Sequence, residues 1–132
     1  DIATLTGACV VALGHYAAGV MGTDTTVIEA LIRAGERTGE RLWELPLWDD
    51  YGKLIEGTHA DLCNIGPKGV AGAIVGGFFL KHFIGETPWA HIDIAGTVNG
   101  GKHIPYLDPK HATGFGVRLL TQWILDQAEK GA

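Results

Sequence analysis

The residues best suited to metal binding or acid–base catalysis lie in the C-terminal third of the sequence. His91 and Asp93 are two positions apart in an apolar stretch, so in an extended strand both side chains point to the same face. His103, Asp108 and His111 follow, and imidazole and carboxylate groups together could bind a divalent metal ion. The later histidines lack the spacing of a metal-binding helix, however, and a His–Asp pair in a strand more often forms hydrogen bonds within the sheet. We therefore interpret His91 and Asp93 as structural residues and expect no metal site in this chain.

Nucleophilic catalysis has few candidate residues. The chain contains no serine, and neither Cys9 nor Cys63 has a neighbouring histidine in a recognisable motif. Thr4 and Thr6 lead into a glycine turn, but a threonine nucleophile needs an adjacent base, and none is evident. The cysteine spacing matches no zinc motif, so we expect two free thiols in a reducing compartment.

A glycine-rich segment at residues 96–102 resembles a phosphate-binding loop only superficially. This segment, Gly-Thr-Val-Asn-Gly-Gly-Lys, is followed by His103, whereas a P-loop continues with serine or threonine and opens a helix. The turn at Thr6 and Gly7 is too short to indicate such a loop. The residues therefore predict a binding cleft that is lined by small side chains and backbone and lacks reactive groups.

Alternating strands and helices must position these segments. The apolar patterns predict strands at residues 1–7, 17–21 and 89–96, an extended segment at 60–64, and helices at 24–35, 51–55, 70–84 and from 113 onward. Asp24 is suited to cap the first of these helices, Gly35 to end it, and Thr113 to cap the last one. Small residues in the helix at 70–84 would let it lie close against a sheet.

This alternation indicates an α/β domain with a mixed, mostly parallel sheet. We expect a three-layer sandwich in which helices cover both faces of the sheet. A strand that starts at residue 1 further predicts a sheet that is incomplete at the N-terminal side, with an exposed edge that favours oligomerisation or aggregation. Ligands of such sheets bind beyond the carboxyl ends of the strands, which directs attention to residues 4–7 and 95–98.

Composition and charge exclude several functional classes. With 132 residues, of which 46% are hydrophobic, the chain can build the core of one domain. A net charge of −5 argues against nucleic-acid binding. The most apolar run, residues 70–79, is interrupted by glycines and is shorter than the roughly 20 residues that span a bilayer. No signal peptide is visible, and we expect a cytoplasmic protein without nucleic-acid or membrane partners.

Several separate segments together resemble one enzyme family. Residues 1–8 and 89–97, which read DIATLTGA and WAHIDIAGT, are similar to two strands in the catalytic domain of cytosolic leucyl aminopeptidases. Shorter matches occur between and after them in the family's order, at residues 45–47, 60–61, 64–66, 71–74, 113–114 and 117–120. The resemblance covers essentially the whole chain, and it implies that residues 1–132 form the C-terminal portion of such a catalytic domain.

This resemblance implies a metal-dependent exopeptidase that releases N-terminal residues, leucine-type preferred, from peptides. In the family two divalent ions, manganese or zinc, activate a bridging water, and a bicarbonate ion assists as base. The ligands lie upstream, in part within an Asn-Thr-Asp-Ala-Glu-Gly-Arg motif that is absent from this sequence. Asp1 is therefore not expected to be a metal ligand. Peptide substrates and a homo-oligomer, a hexamer in the family, are the expected partners.

What the resemblance does transfer to this chain is part of a substrate pocket. Thr4 and Gly7 are expected to line the pocket for the first substrate side chain, with Ala95 and Val98 on its other wall. The backbone of Leu5 and Gly7 would form hydrogen bonds with the substrate, and the Leu5 amide would also lie near the bicarbonate. No catalytic residue and no metal ligand is assigned within the chain.

Two alternative interpretations remain. The chain could be an inactive truncated fragment that serves as an assembly or interaction module. It could also form an enzyme of another kind around His91, Asp93 and His103. A metal-binding motif upstream in the parent reading frame would exclude the first alternative, and a His91→Asn variant that loses nothing beyond stability would exclude the second.

Overall fold

A computed structural model of the chain describes residues 1–99, 104–108 and 110–130, within which strands and helices alternate. The elements in chain order are β1 (Ile2–Ala3), α1 (Gly7–Leu13), β2 (Ala18–Gly22), α2 (Thr25–Thr38), β3 (Leu42–Glu44), a 3-10 helix (Asp49–Ile55), α3 (Gly72–Lys81), β4 (Ala90–Asp93) and α4 (Val117–Lys130). The predicted α/β class is confirmed. None of the helices described is long and apolar enough to cross a membrane.

The four described strands form one mixed sheet in the order β1-β4-β2-β3. β1 runs parallel to β4, and β2 runs parallel to β3. The central pair, β2 and β4, is antiparallel. Parallel pairing thus predominates, as the sequence predicts, and the antiparallel pair joins two parallel halves.

Helices cover both faces of this sheet, which confirms the expected three-layer arrangement. On one face Ala18 and Val20 of β2 pack with Ile28 and Leu31 of α2 and with Leu119 of α4. Side chains alternate along a strand, so the neighbouring β2 positions point to the other face, where α1 and α3 lie.

The second face is closely packed because the helix that covers it carries glycine. A β-carbon at Gly77 of α3 would overlap the Met21 sulfur on β2, and Met21 is fully buried. The predicted close approach of this helix to the sheet is therefore correct. A smaller cluster of Ile55, Val75 and Phe78 joins α3 to the 3-10 helix.

Helix α2 begins where the sequence predicts and ends later. The Asp24 carboxylate accepts hydrogen bonds from the Thr26 and Val27 amides, at 2.8 and 3.1 Å, and so caps the helix. The prediction that Gly35 ends the helix is wrong, because the helix continues to Thr38 and ends at Gly39, whose φ is 74°. Gly35 is buried inside the helix, where a β-carbon would lie 2.5 Å from the Glu40 carbonyl oxygen. Its role is therefore close packing, not helix termination.

Two further boundaries and one element also differ from the prediction. Helix α3 spans Gly72–Lys81, so it is shorter than the predicted 70–84. Within residues 60–64 only Leu62 forms a bridge, to Glu56, and no regular strand is present. The predicted turn at Gly7 is instead the first residue of α1, because the Thr6 hydroxyl accepts a hydrogen bond from the Cys9 amide at 3.1 Å and caps a helix there.

The start of α4 is also determined by a contact that the sequence did not predict. Thr113 does not cap this helix, which begins at Val117; its hydroxyl donates to the Thr97 carbonyl at 2.6 Å instead. The amides of Gly116 and Leu119 donate to Glu40 Oε2, at 3.0 and 2.9 Å. A carboxylate from the segment just after α2 thus caps the N-terminus of α4.

Candidate functional site

The two segments predicted to line a cleft lie side by side at one edge of the sheet. β1 and β4 are parallel, with Ala3 paired to Asp93, so the residues that follow both strands emerge at the same edge. Residues 4–7 continue from β1 into α1, and residues 94–98 continue from β4. The Ile94 amide donates to the Ala3 carbonyl at 2.9 Å and links the starts of these two segments.

The Asp93 carboxylate is the acceptor that joins these two segments. It is fully buried, and its Oδ1 accepts from the amides of Leu5, Thr6 and Ala95 at 3.1, 3.4 and 3.2 Å. Its Oδ2 accepts from the Thr6 hydroxyl at 2.7 Å. Four donors replace the water that the buried carboxylate has lost. Asp93 thereby fixes the backbone of both segments, in agreement with its interpretation as a structural residue.

Cys9 belongs to the same hydrogen-bonded network and does not act as a nucleophile in it. Its thiol is buried and donates to the Asp93 carbonyl at 3.5 Å. Burial, together with the nearby Asp93 charge, raises the pKa of the Cys9 thiol. Since the thiolate is the reactive form, this thiol is poorly suited to nucleophilic attack. Both Cys9 and Cys63 are free, as expected.

The five predicted pocket residues are accessible to different degrees. Thr4 and Gly7 are exposed, Leu5 is 39% exposed, and Ala95 and Val98 are half-buried. A β-carbon at Gly7 would meet no atom within 4 Å, so open space lies beside it. The Leu5 amide already donates to Asp93, so a substrate or a bicarbonate would have to share this donor.

A cavity of about 280 Å³ lies next to Leu5. Leu5 and Thr6 form one side, and residues 64–70 with Val75 form the other. The composition of residues 65–69, Ile-Gly-Pro-Lys-Gly, predicts a turn, but nothing in the sequence connects this turn with the site. One sequence feature could have indicated a binding surface here: Ile65 is a large apolar residue within a glycine- and proline-rich turn. Its side chain is 77% exposed in the structure. Thr4, Gly7, Ala95 and Val98 do not line this cavity.

The other candidate residues do not form a metal centre among the residues described. His91 is fully buried, and its Nδ1 lies 2.8 Å from Asp1 Oδ2. Asp108 and His111 form an exposed pair at 3.4 Å. No group of three or more His, Cys, Asp or Glu side chains that could hold a metal occurs in the described ranges. His103 and residues 100–102 of the glycine-rich segment lie outside the described residues.

His91 is predicted to make folding stability depend on pH. Burial lowers the pKa of His91, although the negative charge of Asp93 opposes the shift. The unfolded chain therefore binds this proton more tightly, so stability is fully present above about pH 6.5 and declines as the pH falls below that value. Urea unfolding at pH 7.5 and 5.5 measures how much the free energy of unfolding falls between the two pH values. This decrease should be smaller for His91→Gln than for the unchanged protein. His59 is exposed, so His59→Gln should show the same decrease as the unchanged protein. An equally large decrease in His91→Gln would contradict the role assigned to His91.

Comparison with known proteins relates most of this chain to a family of peptidases. The family model described as the catalytic domain of the cytosol aminopeptidase family matches residues 1–121. The chain is 55% identical over 124 residues to a probable cytosol aminopeptidase of Geobacter sp. (strain M21), with 94% of this chain and 25% of the relative covered. Probable cytosol aminopeptidases of Geobacter sulfurreducens and Geotalea uraniireducens are 56% and 58% identical, each over 94% of this chain and 25% of the relative. The chain thus spans about a quarter of the length of the curated relatives that it matches.

Proposed function

Because this chain belongs to the cytosol aminopeptidase family, we propose that it forms part of a metal-dependent aminopeptidase that releases N-terminal residues, leucine-type preferred, from peptides. The observation that carries the proposal is the family match over residues 1–121, which includes both segments at the sheet edge. These segments are the part of the chain that the resemblance assigns to substrate binding. Their exposure and their shared anchor on Asp93 support this assignment.

The role proposed for this chain is one wall of the substrate pocket. Thr4 and Gly7 form one side and Ala95 and Val98 the other, and small side chains leave room for a leucine-sized group. Burial of such a group stabilises the complex by about 1.5–3 kcal/mol. The Leu5 and Gly7 backbone would contact the substrate main chain, and the cavity between Leu5 and residues 64–70 offers space beyond it.

The metal ions of the proposed enzyme would be bound by residues outside this chain. The family implies two divalent ions, manganese or zinc, with a bicarbonate nearby, and these would supply the activated water. The described residues do not fit such a centre, since no cluster of suitable side chains occurs among them. We therefore assign no catalytic residue to this chain. Peptides are the proposed substrates, a homo-oligomer the proposed assembly, and the cytoplasm the proposed location.

Gly7→Leu in the full-length protein tests the proposed pocket. The new side chain enters open space and improves helix propensity, so folding should be retained. It should fill the site for the first substrate residue and raise KM for leucine p-nitroanilide about tenfold or more, the equivalent of about 1.4 kcal/mol. The smaller alanine p-nitroanilide should be affected less. Steady-state kinetics with manganese present provides the measurement.

The control for this experiment is Val11→Leu, which enlarges a 90% exposed side chain on the same helix. It should leave both substrates unaffected. An unchanged ratio of kcat/KM for the two substrates in Gly7→Leu would contradict the pocket assignment. Absence of any hydrolysis by the full-length protein would contradict the aminopeptidase proposal itself.

The 132-residue chain by itself is expected to be inactive. This expectation follows from the proposed location of the metal ligands, and an inactive assembly module remains the alternative function for the isolated chain. Leucine p-nitroanilide with manganese is the measurement, and turnover above background would show that the chain carries its own catalytic groups.

A further inference from the structure

A second cavity, separate from the proposed substrate wall, lies between the end of α2 and the start of α4. It encloses about 470 Å³, a volume within the range of sites for small organic molecules. Its inner surface includes Thr97, which is 5% exposed and directly precedes Val98. The cavity therefore lies behind the segment that forms one side of the proposed pocket.

Two arginines give this cavity a positive charge. Arg41 lines it, and its guanidinium makes no hydrogen bond or ion pair with any residue that the structure describes. Arg118 also lines it and uses its Nε to contact Glu40 Oε1 at 3.2 Å. With Glu40 counted, the charged lining groups sum to +1, whereas the chain as a whole carries −5.

The carboxylate of Glu40 does not cancel this positive charge at the cavity surface. Glu40 is 2% exposed, and its Oε2 is occupied by the Gly116 and Leu119 amides at the start of α4. Its negative charge is thus directed into the helix terminus and towards one nitrogen of Arg118. The unpaired Arg41 faces the cavity without a protein partner among the described residues.

The remaining lining is suited to an apolar, planar body. Phe115 and Ile104 contribute apolar surface, and the aromatic rings of Tyr16 and Tyr106 lie at the exposed rim. Guanidinium groups bind carboxylates and phosphates through paired hydrogen bonds and stack on flat rings.

We propose that this cavity is a binding site for a small organic anion, in which a carboxylate or phosphate group contacts Arg41 and an apolar or aromatic body packs against Phe115 and Ile104. None of the residues proposed for the peptide pocket lines this cavity, and the test of the site does not depend on aminopeptidase activity. A bound anion would contact Thr97 and could therefore influence Val98.

Titration calorimetry of the purified protein with four probes tests this proposal. Phenylacetate and phenyl phosphate carry the two candidate anionic groups on an aromatic body, phenylacetamide is a neutral analogue, and inorganic phosphate lacks the body. Binding of either aromatic anion, at least tenfold tighter than phenylacetamide and than inorganic phosphate, is the expected result, and the tighter of the two identifies the preferred group. Equal affinity for phenylacetate, phenyl phosphate and phenylacetamide, or no binding by either aromatic anion, would overturn the proposal.

Arg41→Gln distinguishes this cavity from other arginine-containing surfaces. The change removes the charge without breaking a described contact, so the fold should be unaffected, and it should weaken binding of the preferred aromatic anion about tenfold. Arg33→Gln, which removes an exposed arginine on α2, is the matched control and should bind as the unchanged protein does. Equal weakening in both variants, or none in Arg41→Gln, would count against the assigned site.

Discussion

Replacement of Asp93 by alanine is expected to lower the free energy of unfolding by about 3–5 kcal/mol. The carboxylate accepts four hydrogen bonds, from the amides of Leu5, Thr6 and Ala95 and from the Thr6 hydroxyl. In the alanine variant these donors lose their common acceptor at a site that is closed to water. Urea denaturation of the variant and the unchanged protein at pH 7 measures the difference.

Asp61→Ala provides the control for this experiment, because Asp61 is exposed and forms no hydrogen bond or ion pair within the described part of the chain. It should change stability by less than about 0.5 kcal/mol. Asp93→Asn keeps one carbonyl oxygen for the amides of Leu5 and Ala95, so its loss should be smaller than that of the alanine variant. A loss below about 1 kcal/mol in Asp93→Ala would show that the network contributes little.

Under the proposed function, weakening the hydrogen bonds that Asp93 accepts should also weaken substrate binding. Asp93 holds the Leu5 and Ala95 amides on one oxygen, so it sets the separation of the two pocket walls. In the full-length protein Asp93→Asn should raise KM for leucine p-nitroanilide more than it lowers kcat. A change in kcat alone would argue that Asp93 does not position the pocket.

Replacement of Glu40 by alanine is expected to destabilise the protein by about 2–4 kcal/mol. Its carboxylate is nearly fully buried and accepts from the amides of Gly116 and Leu119 and from Arg118. Without it the first amides of α4 are left unpaired, and the favourable interaction of a negative charge with the helix N-terminus is lost. Thermal and urea unfolding of the variant measure the effect.

Two further variants make the Glu40 experiment specific. Glu36→Ala removes an exposed carboxylate from the last turns of α2, four residues before Glu40, and should change stability by less than about 0.5 kcal/mol. Glu40→Gln retains an acceptor oxygen but loses the charge, so its destabilisation should lie between those of the two alanine variants. If Glu40→Ala and Glu36→Ala were equally stable, α4 would be capped by other means.

The elements that the sequence predicts well are those whose signals are local. Asp24 caps α2 through amides two and three residues away, and the apolar run of β2 and the alternation of β4 are visible without any partner. The two chain segments of the proposed pocket were likewise identified from short motifs. The α/β class and the two sheet-edge segments therefore follow from the sequence alone, whereas α1 and β3 were not predicted.

The features that the sequence misplaced depend on tertiary packing that local signals do not show. Gly35 resembles a helix stop, but α2 continues to Thr38, and Gly35 packs closely against the Glu40 carbonyl. Thr113 resembles a cap, but α4 takes its cap from Glu40, which lies 79 positions from Leu119. The turn at residues 65–69 was recognised, yet only the fold places it beside Leu5.

The sequence by itself determined most of the strands and helices, because hydrophobic periodicity and local capping act over a few residues, and its family resemblance supplied the residues of the proposed pocket wall. Only the tertiary structure decided that one carboxylate, Asp93, holds both sides of that wall, and that another, Glu40, starts the last helix. The physical reason is burial: a charge removed from water needs several donors at once, and in this chain those donors come from distant segments brought together by the sheet.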